Sequence, residues 1–171
     1  MLSPGPRKLV LTSHVVASVG WLGAVGVFLA LSLSALTSNE LETVRSAYLV
    51  MATIGWYVLV PLSVASLVTG LVQSLGTPWG LFRHYWVIFK LAINLVATVV
   101  LVMYMQTLEA FSALAAMPHA GLVELRSASP AVHATGALVL LLIATVLSVY
   151  KPRGTTRYGQ RRGNTTPPGV G

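Results

Sequence analysis

Apolar residues run through this chain in four long stretches, about Leu9 to Leu36, Ala47 to Leu75, Tyr85 to Thr107 and Ala131 to Tyr150. A helix needs about 20 largely apolar residues to cross the hydrocarbon core of a bilayer, and each stretch meets that length. None shows the strict alternation of a barrel strand, so each is read as a helix. The pattern predicts an all-α integral membrane four-helix bundle over residues 1–150, followed by a basic tail over 151–171. Arg7 and Lys8 precede the first stretch, and Ser32-Leu33-Ser34 would pass as a cleavage site. The stretch is nevertheless far longer than the ~7–15-residue core of a secretory signal, so it is read as a retained helix.

The connections carry their own signals. Between the second and third stretches, Gly76, Pro78 and Gly80 predict a tight turn that makes those helices antiparallel neighbours. Trp79, Phe82, Tyr85 and Trp86 cluster there as a headgroup-level aromatic belt. In the longer connection, Leu108 to Pro130, the apolar run Phe111 to Met117 is expected to lie on the membrane surface as a short helix. From Lys151 onward the chain is rich in Gly, Pro, Thr and Arg, and is expected to be mobile.

Composition excludes the other broad classes. The chain is 55% hydrophobic and 9% charged, with a mean hydropathy of +0.77. A soluble domain carries about 25% charged residues. Cysteine is absent, which removes disulfides, thiolate nucleophiles and Cys-ligated metal sites. The net charge of +7 changes meaning once it is located. Arg7, Lys8, Arg83, Lys90, Lys151, Arg153, Arg157, Arg161 and Arg162 fall on the side of the two termini, without one acidic residue. Arg45 and Arg126 fall on the other side with Glu40, Glu42, Glu109 and Glu124. The positive-inside rule then puts both termini in the cytoplasm, as expected for a multi-pass protein of a bacterial cytoplasmic membrane. Nucleic acid is not needed to explain the charge. The basic tail is expected to rest on anionic lipid headgroups, and the Asn164-Thr165-Thr166 sequon on that side carries no glycan.

Small residues supply the packing surfaces. Gly20-x-x-x-Ala24 and Gly23-x-x-Gly26 lie on the first helix, and Ser66-x-x-x-Gly70-x-x-x-Ser74 on the second. Pro61, near the middle of the second helix, is expected to kink it.

Few side chains in these helices can do chemistry. His14 stands about five residues into the first stretch, with Ser18 and Trp21 following on the same face. Trp86, Lys90, Asn94 and Thr98 repeat every four residues along the third and form a polar stripe. Lys90 can either snorkel to headgroups or turn into the bundle, while Asn94 and Thr98 suit interhelical hydrogen bonds. His84 opens the third helix, His119 lies in the long connection and His133 begins the fourth helix. Taken together, His14 and His84 at one face and His119 and His133 at the other suggest b-type haem sites. His14 and His133 lie too far apart to share an iron across a core of about 30 Å. His14 or His84 with Met51, Met103, Met105 or Met117 would suit copper, although no row of Met or His converges. No P-loop, dinucleotide fingerprint, intramembrane carboxylate pair, Gly-x-Ser-x-Gly or Ser/His/Asp triad is present.

His14-x6-Trp21-x-Gly23 on the first helix and Trp86-x3-Lys90-Leu91 on the third resemble the broad bacterial group that contains the CopD-type and HemJ-type membrane proteins. More closely, residues 9–162 resemble an uncharacterised bacterial four-helix integral membrane family, a domain of unknown function. The residues behind that likeness are Gly76-Thr77-Pro78-Trp79-Gly80-Leu81-Phe82-Arg83-His84-Tyr85-Trp86, His133, Ser148 through Gly154, and Arg157-Tyr158-Gly159. The looser resemblance implies copper uptake or haem b and protoporphyrinogen oxidation. By that analogy His14 would be a haem or metal ligand and Lys90 the cationic partner of a propionate. The second helix departs from it, offering no His, Lys, Arg or acid between Ala47 and Leu75.

The reading that results is an integral membrane protein with a buried His14/Trp21/Lys90/Asn94 cluster near the cytoplasmic face. A haem-binding redox or porphyrin-handling protein, a copper-handling protein and a non-catalytic subunit of a membrane complex are the alternatives. The bilayer is its first partner, with a homo-oligomer or a membrane-complex partner open. Whether it is an enzyme is left open.

Overall fold

The computed structural model describes residues 3–76, 84–150 and 156. Among the described residues, four helical spans are long and apolar enough to cross a membrane. The first is α1, Pro4–Thr37, with prolines in its first turn where a missing N–H costs nothing. The second is built from α2, Leu41–Ile54, a π-helical turn over Gly55–Leu59, and α3, Val60–Gly76. The third is α4, Tyr85–Ala115, and the fourth is α6, Ser129–Tyr150, preceded by the single turn α5, Leu122–Leu125.

The irregularity expected at Pro61 takes the form of that π-helical turn. Proline has no N–H to return to the preceding turn, so the ladder must change register just before it. Here the N–H of Val60 reaches back five residues to the carbonyl of Gly55. Gly55 also gives the turn room: a Cβ there would stand 2.6 Å from Met105 Cε.

Successive spans alternate in direction, so Pro4 and Tyr150 lie at the same end of the bundle, the termini end. Helix α1 packs on α2, α3 and α6, and α4 packs on the same three. Helices α1 and α4 therefore face each other across one diagonal, with the second span and α6 on the other. The centre is filled by Trp21, Phe28, Tyr48, Met51, Met105 and Leu108. Valines such as Val16, Val19, Val96 and Val99 cover the outside. A face of that kind suits lipid, and small residues then let the backbones approach.

At the far end the structure differs from the expected surface helix. Phe111 to Ala115 continue α4 instead. No Gly or Pro interrupts Thr107 to Met117, so the helix runs on past the apolar stretch until Pro118 is near. Phe111 stacks on Tyr48 at 5.2 Å, and the Tyr48 hydroxyl donates to Leu125 O at 2.7 Å. Arg45 Nη2 lies 2.9, 3.0 and 2.9 Å from the carbonyls of Met117, Pro118 and Ala120. Arg126 donates to Ser38 O and Asn39 Oδ1. These contacts close that end with polar groups the helix termini would otherwise leave unpaired.

Trp79, Phe82, Arg83, the turn residues Pro78 and Gly80, the sequon and the basic tail other than Thr156 lie outside the described residues.

Candidate functional site

The diagonal between α1 and α4 is where the polar side chains meet. His14 is ten residues from the start of α1, about 15 Å along it, with the first five residues, Pro4 to Lys8, lying ahead of the apolar stretch. It is buried because α3 offers no side chain opposite it: a Cβ on Gly70 would sit 3.0 Å from His14 Cε1. The small-residue row of α3 thus does more than pack helices. It makes a recess for an imidazole.

That imidazole is held at both nitrogens. His14 Nδ1 is 3.1 Å from Ser66 O and 3.1 Å from Thr69 Oγ1. Thr69 donates its own proton to Ala65 O, so its oxygen is free to accept. Lys90 Nζ, from across the diagonal, is 3.2 Å from His14 Nε2. An ammonium only donates. Nε2 must therefore be the acceptor, and the Nδ1–H tautomer donates to α3. The alternative of a snorkelling Lys90 is not the one adopted, because the amine is turned inward.

A second layer lies one turn further in. Ser66 Oγ accepts from Asn94 Nδ2 at 3.1 Å and pairs with Ser18 Oγ at 2.9 Å. This joins α1, α3 and α4 in one network. Asn94 Oδ1 and Thr98 Oγ1 are buried with no hydrogen-bond partner among the described residues. The interhelical hydrogen bond expected of Asn94 is present; Thr98 makes none there.

On the termini side of this layer is a cavity of about 290 Å³. His14, Lys90, Asn94, Gln73, Ser74 and Trp86 give it polar groups, and Leu11, Val15, Val87 and Leu91 give it apolar walls. Beyond the layer is a separate cavity of about 250 Å³ with mostly apolar walls, Trp21, Val25, Phe28, Leu59 and Met105 among them, and with Tyr104 and His133 also on its lining. Trp21 therefore belongs to the apolar half rather than to the His14–Lys90 pair. Among the described residues the side-chain network that starts at His14 ends at Asn94.

The other sequence candidates stand apart. His84 occupies the N-cap position of α4 without a side-chain capping bond, its ring 6.4 Å from that of Trp86. His119 is exposed in the far-end connection. His133 stacks on Tyr104 at 4.0 Å and its Nδ1 is 2.8 Å from Ser129 O. Ser148 shares the His14 cavity and is fifteen residues along α6 from His133, about 22 Å. His14 and His133 are thus at opposite ends.

The Nε2 lone pair of His14, which an axial haem ligand would use, is engaged by Lys90, while the bond from Nδ1 to α3 is one that a ligating histidine also makes. The arrangement does not gather a copper set. Met103 is 68% exposed on the outside of the bundle, and Met105 is fifteen residues from Lys90 along α4, about 22 Å. Among the described residues, no three His, Cys, Asp or Glu side chains converge.

Reasoning from sequence missed Thr69, which orients His14, and Gln73, which lines the cavity. Both sit beside the Ser66/Gly70/Ser74 row, which was the signal that a polar face of this helix points inward.

Comparison of the chain with protein-family models, characterised proteins and solved structures finds no match.

Proposed function

We propose that this chain is a ligand-binding protein of a bacterial cytoplasmic membrane, with both termini in the cytoplasm. Its site is the cavity at the termini end, where His14, Lys90 and Asn94 converge. The observation that carries this reading is the 3.2 Å contact between Lys90 Nζ and His14 Nε2 beside a 290 Å³ space. A charged group inside a membrane is costly, and where it persists it faces an interior site. The hydrogen-bonded layer of Ser18, Ser66 and Asn94, followed by an apolar half, supports a site open toward one end rather than a pathway across. The one-sided distribution of basic residues supports the orientation.

The chain has no cysteine, so single cysteines report on an otherwise silent background. Ser74→Cys, in the cavity wall, should react with a membrane-impermeant maleimide in inverted vesicles and not in intact cells. Glu42→Cys should do the reverse. Labelling of Ser74→Cys from the outside, or from neither side, would overturn the reading.

A further inference from the structure

We infer that the cavity takes an amphiphile with an oxyanion head, a carboxylate or a phosphate, which Lys90 would bind through its ammonium. The inference rests on the cavity being a ligand site, as proposed above, and adds the chemical class of that ligand.

The first ground is charge. Lys90 is the one Lys or Arg within the four apolar stretches. The chain has no Asp, and its four Glu are residues 40, 42, 109 and 124, all at the far end. Glu109, on the same helix, is nineteen residues away, about 28 Å. No carboxylate side chain of the chain can therefore neutralise Lys90. Lys90 is half-buried, and a cation partly withdrawn from water is stabilised by a counter-charge that the chain itself does not supply there.

The second ground is how the amine is held. His14 accepts one of its three protons and is itself locked to Ser66 and Thr69. A neutral imidazole does not cancel the charge. It keeps Nζ turned into the bundle instead of toward headgroups, and leaves N–H groups to donate. An oxyanion beside a donated N–H is the strongest partner available to an ammonium.

The third ground is the rest of the wall. Val87 and Leu91 are apolar, and Leu11 and Val15 line the cavity while also being 46% and 50% exposed on the outside of α1. The space thus reaches the lipid-facing surface of the bundle. The layer of Ser18, Ser66 and Asn94 closes it inward. An apolar tail would leave along Leu11 and Val15 into the bilayer, with the anionic head at Lys90. The volume, near the low end for small-molecule sites, suits a head and the first part of a tail.

The test is native mass spectrometry of the full chain in a neutral detergent. The probes are oleate, its methyl ester, phosphatidylglycerol, phosphatidylcholine and inorganic phosphate. An anionic amphiphile should be retained and methyl oleate should not. Lys90→Gln should weaken retention by about tenfold or more, as losing a charge-assisted hydrogen bond does, while Lys90→Arg should keep most of it. Comparison with Lys90→Gln also cancels any binding of anions to the basic tail. Oleate alone would identify a carboxylate, phosphatidylglycerol alone a phosphodiester, and inorganic phosphate alone would remove the tail from the inference. Lys90→Gln should fold, since it takes a charge out of the interior, and its thermal midpoint checks this. Equal retention of methyl oleate, or retention unchanged in Lys90→Gln, would overturn the ligand class. If Ser74→Cys is labelled as expected and no anion binds, the cavity reading stands and this one falls.

Discussion

Lys90 Nζ meets His14 Nε2 at 3.2 Å across the diagonal of the bundle, linking two helices that otherwise pack only on their neighbours. Gly70 makes the contact possible by leaving His14 its recess. A methyl group at residue 70 would stand 3.0 Å from His14 Cε1, and the ring is already tied at both nitrogens. Gly70→Ala is expected to lose about 1–3 kcal/mol through overpacking. Gly23→Ala, where nothing lies within 4 Å, should be neutral or slightly stabilising because alanine favours a helix. Thermal unfolding of the two variants in one detergent checks the contrast; equal midpoints would contradict it.

Ser66 joins three helices through one hydroxyl, so its removal should be felt through Asn94. Ser66→Ala strands the Asn94 amide, whose oxygen is already unpartnered among the described residues. The loss should be about 0.5–1.5 kcal/mol, the range for interhelical hydrogen bonds in membranes. In Asn94→Leu the same serine substitution should cost less, because there is no amide left to strand. A double-mutant cycle followed by denaturant unfolding measures the coupling. Additive losses would show that the two side chains do not interact.

How much of this was legible in the sequence depends on what each residue has to satisfy. The four spans follow from solvation, which lipid imposes on every residue, so apolar runs reveal them directly. Helix ends do not follow from the same cue. Thr107 and Glu109 end the apolar run, but neither breaks a helix, and α4 continues to Ala115. His14, Lys90 and Asn94 stand out because polar groups in apolar helices are costly. Their pairing did not, because it depends on which helices share a diagonal. Gly70 and Ser66 read as packing residues for the same reason: a small residue looks alike whether it admits a helix or an imidazole.

At the far end, Arg45 is expected to matter more than any ion pair there. Its guanidinium reaches three backbone carbonyls at residues 117, 118 and 120. Its pairing with Glu42 is 3.6 Å long, and that glutamate is 84% exposed. Arg45→Ala should cost about 1.5–3 kcal/mol, the range for hydrogen bonds to a charged group. It should also raise hydrogen exchange at the Ala120 amide, which bonds to Met117 O. Glu42→Ala should change neither quantity by much, since exposed pairs contribute about 0–1 kcal/mol. Exchange at Ala120 unchanged by Arg45→Ala would remove the clamp from the account.

The π-helical turn makes a prediction of a different kind, because its space is shared with one flexible side chain. Gly55 faces Met105, and an added Cβ would lie 2.6 Å from its Cε and 2.7 Å from its Sδ. Both atoms belong to the far end of an unbranched chain, yet Met105 is fully buried and has little room to retreat. Gly55→Ala should therefore destabilise by about 1–3 kcal/mol. Shortening the opposing residue should undo much of that loss. Met105→Val alone opens a void and is destabilising, but combined with Gly55→Ala the added and removed volumes face each other. The double variant should be more stable than the sum of the single losses by about 1 kcal/mol, within the range for residues in direct contact. Purely additive losses would mean that the turn adjusts by itself, and that Met105 does not require glycine at residue 55.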